Sequence, residues 1–190
     1  MTKLESLRKE FGHLNITIYH GDCNKILGEQ IFPQLSGATQ KRAVAFIDPF
    51  GMNMSWETMT ELAKLKTVEA FINVPVMGIN RSVLKKNPKA ISEQDKERMR
   101  CFWGDDDWIR MFYKDETTLF GPERVKLPLR GLELGNHYRK RLTTVFPYCT
   151  EPVLMTNSKG APLYCILFAG HNATGIKIAG DIFRKYAKEK

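Results

Sequence analysis

The sequence predicts an α/β fold: a mostly parallel sheet, an antiparallel strand pair near the carboxyl end, and a helical, loop-rich insertion between them. Three observations carry this. The apolar run Val44-Ala45-Phe46-Ile47 stops abruptly at Asp48-Pro49-Phe50-Gly51. A buried parallel strand ends this way where it delivers polar and aromatic groups to the carboxyl edge of a sheet. Strand-like and helix-like segments alternate from Asn15 to Val74, the rhythm of βαβ units with right-handed crossovers. Two β-rich runs flank Asn157-Ser158-Lys159-Gly160, which is strong turn chemistry.

Each element follows from local pattern. Leu4, Leu7 and Phe11 have helical spacing, and Gly12 can end that helix. Residues 15–20 are β-branched and aromatic and read as a strand that stops at Gly21-Asp22-Cys23-Asn24. Ile26, Leu27, Ile31 and Leu35 suggest a helix broken near Pro33, and 36–42 is a polar loop. The second strand is 43–48. Ser55 caps a helix over 56–66, with Trp56, Met59, Leu62, Ala63 and Leu65 as its apolar stripe. The third strand, 70–74, ends at Pro75.

The rhythm is lost over 76–135, expected as a cap over the carboxyl edge of the sheet. Ser92 starts one helix, and Asp105-Asp106-Asp107 opens another through about Tyr113. Pro122, Pro128, Gly131 and Gly135 then punctuate loops. Tyr138 to Phe146 reads as a helix with Arg139, Lys140 and Arg141 exposed. Strands over 153–156 and 163–169 form the antiparallel pair. The final helix, 173–188, turns Ile176, Ile178, Ala179, Ile182, Phe183 and Tyr186 inward. One domain of 190 residues accommodates all of this, without repeats.

Composition narrows the function class. Hydrophobic residues make up 43% and charged ones 26%, ordinary for a globular protein. No apolar run approaches the roughly 20 residues of a membrane span. The amino terminus is charged and lacks an apolar signal core, so a cytoplasmic location is expected and a membrane partner is not. Four scattered cysteines with no C-x-x-C pair argue against a metal site and read as small hydrophobes. The net charge of +8 admits nucleic acid as a partner. The excess is divided among Lys85-Lys86, Arg139-Lys140-Arg141 and the carboxyl-terminal Arg184-Lys185 with Lys188 and Lys190, however, and short clusters are commonly solvated faces.

A few positions can carry chemistry. Asp22, after Gly21, can accept a hydrogen bond from an amine, or cap the next helix. Asp48-Pro49-Phe50 is more specific: proline sets the turn, the acid binds an amine or hydroxyl, and the ring stacks on a planar group. The competing reading is a rigid connection with Phe50 packed inside. Asn73 and Arg81 can reach the same edge, where a guanidinium holds phosphate or carboxylate. Arg81 can equally pair with an acid of the insertion. His171 is a candidate general base and Asn172 a helix cap.

Three stretches taken together resemble the three-Cys-motif partner protein family, TcmP. They are Asp48-Pro49-Phe50-Gly51 with Trp56, Phe71-Ile72-Asn73-Val74-Pro75 running to Asn80-Arg81, and Leu163-Tyr164-Cys165-Ile166-Leu167-Phe168-Ala169 with the helix after it. The resemblance spans roughly residues 15–185. It implies a Rossmann-like, methyltransferase-type sheet, S-adenosylmethionine as cofactor, and a bacterial or phage setting beside a three-cysteine, radical-SAM-like partner. Carried onto this chain, Asp48 and Phe50 are the catalytic, acceptor-holding residues. Asp22 lies near the cofactor adenine, Pro49, Asn73 and Arg81 bind substrate, and no metal is required. Asp48-Pro49-Phe50 departs from the acid-Pro-Pro-aromatic motif of amino-methyltransferases, with Phe50 for the second proline and Gly51 for the aromatic.

The family's upstream strand, Gly-rich cofactor loop and ribose-binding acid find no match here. A truncated chain, or one completed by a second polypeptide or by oligomerisation, is therefore expected, with weak or no cofactor binding alone. The alternative is a non-catalytic interaction module for the three-cysteine partner or nucleic acid. A nuclease-like enzyme is disfavoured by the lack of a clustered set of metal-binding acids.

Overall fold

The parallel unit forms as the pattern predicts. In the computed structural model, which describes residues 3–36, 41–119 and 121–188, strand β1 (Ala43–Ile47) leads to helix α4 (Trp56–Lys64) and then to β2 (Val68–Val74). Ser55 caps α4, its hydroxyl oxygen accepting from the Thr58 amide at 3.1 Å. Before this unit lie α1 (Lys3–Glu10) and a helical segment of α2 (Cys23–Ile26), a π turn (Leu27–Ile31) and α3 (Phe32–Leu35). Pro33 is the second residue of α3, directly after the π turn, and the helical segment runs on through it without the break expected there. The polar loop expected over 36–42 lies largely outside the described residues.

The insertion folds as α5 (Val76–Ser82), a 3₁₀ turn (Pro88–Ala90), α6 (Glu93–Trp103), α7 (Asp107–Phe112), a hairpin of β3 (Tyr113–Thr118) and β4 (Gly121–Lys126), and α8 (Gly131–Leu142). Then follow β5 (Tyr148–Cys149), β6 (Val153–Thr156), β7 (Pro162–Gly170) and α9 (Ala173–Lys188). The main sheet has the order β1-β2-β7-β5, with β6 beside β5 on the same edge of β7. β6 and β7 form the antiparallel pair expected around the Asn157-Ser158-Lys159-Gly160 turn.

The sheet corrects the expectation of a mostly parallel one. Among the described residues only β1 and β2 run parallel, while β7 is antiparallel to β2, β5 and β6. Residues 15–20, expected as the first strand, join no strand among the described residues. Their β propensity expresses fit to a sheet surface and needs a partner's edge, and none of the described strands pairs with them.

Helix α8 begins earlier than the glycines suggest. A Cβ on Gly135 would stand 2.7 Å from Cys165 Sγ, so glycine here permits close packing of α8 on β7 instead of breaking the helix. The loop-rich stretch before it is regular in its first part, where β3 and β4 pair along their whole length, and irregular over 127–130. Arg141 is not exposed either. Its side chain keeps 16% of its accessible surface, lies 4.8 Å over the Trp56 ring and pairs with Asp105 at 2.6 Å. Gly104, at φ 102°, closes α6 in the left-handed region beneath that stack.

The core runs from Met59, Leu62 and Ile72 through Ile79, Trp103, Phe112 and Tyr138 to Leu167. Cys149 and Cys165 are buried within it, and burial pushes their thiols up to about 12 and about 11. Cys23 and Cys101 are exposed. Helix α9 buries Ala179, but Ile178, Ile182 and Tyr186 stay half or more exposed, against expectation. The helix covers β7 and β5 and leaves the face of β1 open. No helix among the described residues is long and apolar enough to cross a membrane.

Candidate functional site at the carboxyl end of β1

The ladder register builds this site. Ile47 pairs with Ile72, so the next residues on the two parallel strands, Asp48 and Asn73, end side by side. Asn73 Nδ2 donates to Asp48 Oδ1 at 2.8 Å. Pro49 turns the chain away, and Phe50 stands 93% exposed. The reading of Phe50 as a packed connection is thereby overturned: its ring is open to stack on a planar partner. Gly51 follows at φ 65°, a left-handed turn position suited to glycine.

A groove of about 530 Å³ is lined by Asp48 and Pro49 together with Tyr19 and Gly21. The rest of its lining is largely apolar, with Ile31 and Phe32 from the helical segment and Ala43–Ile47 from β1. The structure thus brings the Gly21 turn and the Asp48 turn together across more than twenty residues of sequence.

Asn24 holds the two turns in place. Its Nδ2 donates to the Asn53 carbonyl at 2.8 Å. Its Oδ1 accepts from the Ser55 amide and the Thr58 hydroxyl, both at 2.9 Å. Sequence reading missed this residue because every partner is distant in the chain and no spacing marks it.

Asp22 takes the role of helix cap. Its Oδ1 accepts from the amides of Asn24 at 2.8 Å and Lys25 at 3.1 Å. Arg81 is exposed on α5 and makes no hydrogen bond or ion pair with the described residues, so the expected pairing with an acid of the insertion is not formed. It does not line the groove. Its neighbour Asn80 is tied to the hairpin instead, accepting from Lys126 Nζ at 3.2 Å. Burial lowers the pKa of that lysine.

His171 is set apart from Asp48. It follows β7, whose final residues pair with Ala70 and Tyr148, at the amino end of β1 and β2. Its Nδ1 is buried without a hydrogen-bond partner among the described residues, and burial lowers its pKa. Its place at the opposite end of the sheet keeps it from acting as base at Asp48. Asn172 caps α9 as expected, its Oδ1 accepting from the amides of Thr174 at 2.9 Å and Gly175 at 3.3 Å. No group of three metal-ligating side chains occurs among the described residues.

Chemically, the site offers one oriented carboxylate, an amide beside it, and an exposed ring. That set suits a planar group bearing an N–H donor. No family model, curated protein or solved structure matches the chain.

Proposed function

We propose that the carboxyl end of β1 is the acceptor-binding side of a Rossmann-like methyl-transfer site of the TcmP type. The observation that carries this is the Asp48–Asn73 hydrogen bond at adjoining parallel strand ends with the Phe50 ring open beside it. A planar amine stacks on Phe50 and donates an N–H to Asp48. Asn73 holds the carboxylate in one orientation, which aims the acceptor lone pair and disperses positive charge developing on its nitrogen. The order β1-β2-β7, with β7 antiparallel, is in keeping with the later half of a methyltransferase sheet.

S-adenosylmethionine, when bound to such a site, supplies an electrophilic methyl group. The described residues do not by themselves fit it. Asp22 Oδ1 is committed to two backbone amides, and the groove walls beyond Asp48 are apolar where a ribose and an amino acid moiety need polar partners. Groups from outside the described residues must complete the cofactor side.

A second reading is a non-catalytic interaction module, partnered by a three-cysteine protein or by nucleic acid. The open apolar edge of β1 favours it.

Calorimetric titration separates the two. Adenosine and cytidine carry an exocyclic amine, and uridine does not. The acceptor reading expects the amine-bearing nucleosides to bind more tightly, and Asp48→Asn to erase that preference. Equal binding of all three by the unaltered chain overturns it. S-adenosylmethionine alone should bind weakly or not at all, and a micromolar dissociation constant would show the cofactor side to be complete.

A further inference from the structure

β1 sits at the edge of the sheet but has the composition of a central strand. Ala43, Val44, Ala45, Phe46 and Ile47 are all apolar, and no lysine, proline or bulge guards its outer side. Natural edge strands usually carry such guards, because unpaired N–H and C=O groups are a template for another chain. Among the described residues nothing pairs with this edge.

Both faces beside the edge are apolar. On the α9 side, Phe46 stacks on Phe71 at 4.8 Å, and Phe71 meets Phe168 at 4.5 Å and Phe183 at 6.2 Å. This aromatic column ends in the open at β1, where Phe46 is 78% and Val44 58% exposed. Lys177, Gly180 and Arg184 line a cavity with Pro152 on one flank of α9. At 100° per residue, Ile178, Ile182 and Tyr186 fall on the other flank, toward β1. On the opposite face, Ile26, Leu27, Ile31 and Leu35 line the groove.

The charges at the ends of β1 select an occupant. Arg42 precedes the strand and Asp48 follows it, and neither has an ion-pair partner among the described residues. We propose that a second copy of this chain pairs with the first through β1, antiparallel, about a two-fold axis at Ala45. In that register Val44 faces Phe46 of the other copy, and Ala43 faces Ile47. Arg42 of each copy stands opposite Asp48 of the other. Neighbouring registers set Arg42 against an apolar residue or turn the apolar faces out of match. The two sheets become one, and the aromatic columns continue across the seam on a common face. Tyr19 lines the groove, but residues 15–20 are in no strand, so no ladder bond breaks to admit the partner.

This inference goes beyond the acceptor reading and does not rest on it. It makes pairing and acceptor binding compete for Asp48.

Sedimentation and light scattering of the full chain test it, with salt and sequence varied. A concentration-dependent dimer that weakens at high salt is expected. Arg42→Asp and Asp48→Arg should each weaken it about tenfold or more, and the double variant should restore it. That rescue separates lost pairing from misfolding. Mild oxidation of Ala45→Cys should link two copies, since directly opposed strand residues lie within disulfide reach. A monomer at every concentration overturns the proposal. So does a dimer indifferent to both charge reversals, or a monomer that takes an unrelated polypeptide at β1.

Discussion

Asn73 Nδ2 donates to Asp48 Oδ1 at 2.8 Å, across the ends of two parallel strands. The bond follows from register: Ile47 and Ile72 are paired, so the two polar residues after them meet. Asp48 is exposed and caps no helix. Asp48→Asn should therefore leave the melting temperature within a degree or two of the parent while removing discrimination for amine-bearing ligands. A large loss of stability in this variant would recast Asp48 as a structural residue.

Asn24 joins the loop after Asp48 to the start of α2 through three hydrogen bonds. Asn24→Ala leaves the Ser55 amide and Thr58 hydroxyl without their acceptor. A cost of about 1–3 kcal/mol is expected in chemical denaturation. Hydrogen exchange should rise at Ser55. Unchanged protection there would show that the clamp is not what holds the loop.

Arg141 lies between Trp56 and Trp103, 4.8 and 5.9 Å from the ring centroids, and pairs with Asp105. Arg141→Ala should cost about 2 kcal/mol through lost packing and cation–π contact. Arg141→Lys should recover only part of it, since an ammonium cannot stack as a planar guanidinium does. Full recovery by lysine would reduce the interaction to charge alone.

Gly135 is a helix-interior glycine, where alanine ordinarily stabilises by up to about 1 kcal/mol. Here the new methyl meets Cys165 Sγ at 2.7 Å and Pro152 Cβ at 3.0 Å. Overpacking of this kind costs about 1–3 kcal/mol, so Gly135→Ala should be destabilising in urea. A stabilised variant would mean that α8 can lift from β7 freely.

His137 and His171 both have pKa values below the ordinary 6.5, burial being the largest cause. The unfolded chain therefore binds protons more readily than the folded one. Stability is full above about pH 6.5 and falls as pH drops from there toward the folded values. Melting temperatures from pH 7.5 to 5 should show this decline, reduced in His137→Gln and His171→Asn. A parent protein whose melting temperature rises on acidification over that span would contradict the sign.

Much of the fold was legible in local chemistry. Ser55 and Asn172 announce helix starts because a short polar side chain can satisfy a free backbone amide wherever it lies. Asp48-Pro49-Phe50-Gly51 marks a strand end because proline cannot continue the ladder. The turn at Asn157-Ser158-Lys159-Gly160 needs only its own residues. These are near-neighbour effects, and sequence by itself determined them.

Tertiary structure decided what depends on distant partners. Residues 15–20 have strand chemistry but pair with no strand among the described residues. Gly135 looks like a breaker until Cys165 comes into contact, and Arg141 looks solvated until Trp56 and Trp103 close around it. Asp22, a candidate ligand by position, is drawn into capping α2, while Asn24 gains its role from Asn53, Ser55 and Thr58. Ile178, Ile182 and Tyr186 have helical core spacing, yet α9 lies over β7 and β5 and leaves them at the open side of the sheet. Periodicity names an apolar face, but only the packing of the whole chain decides whether anything covers it.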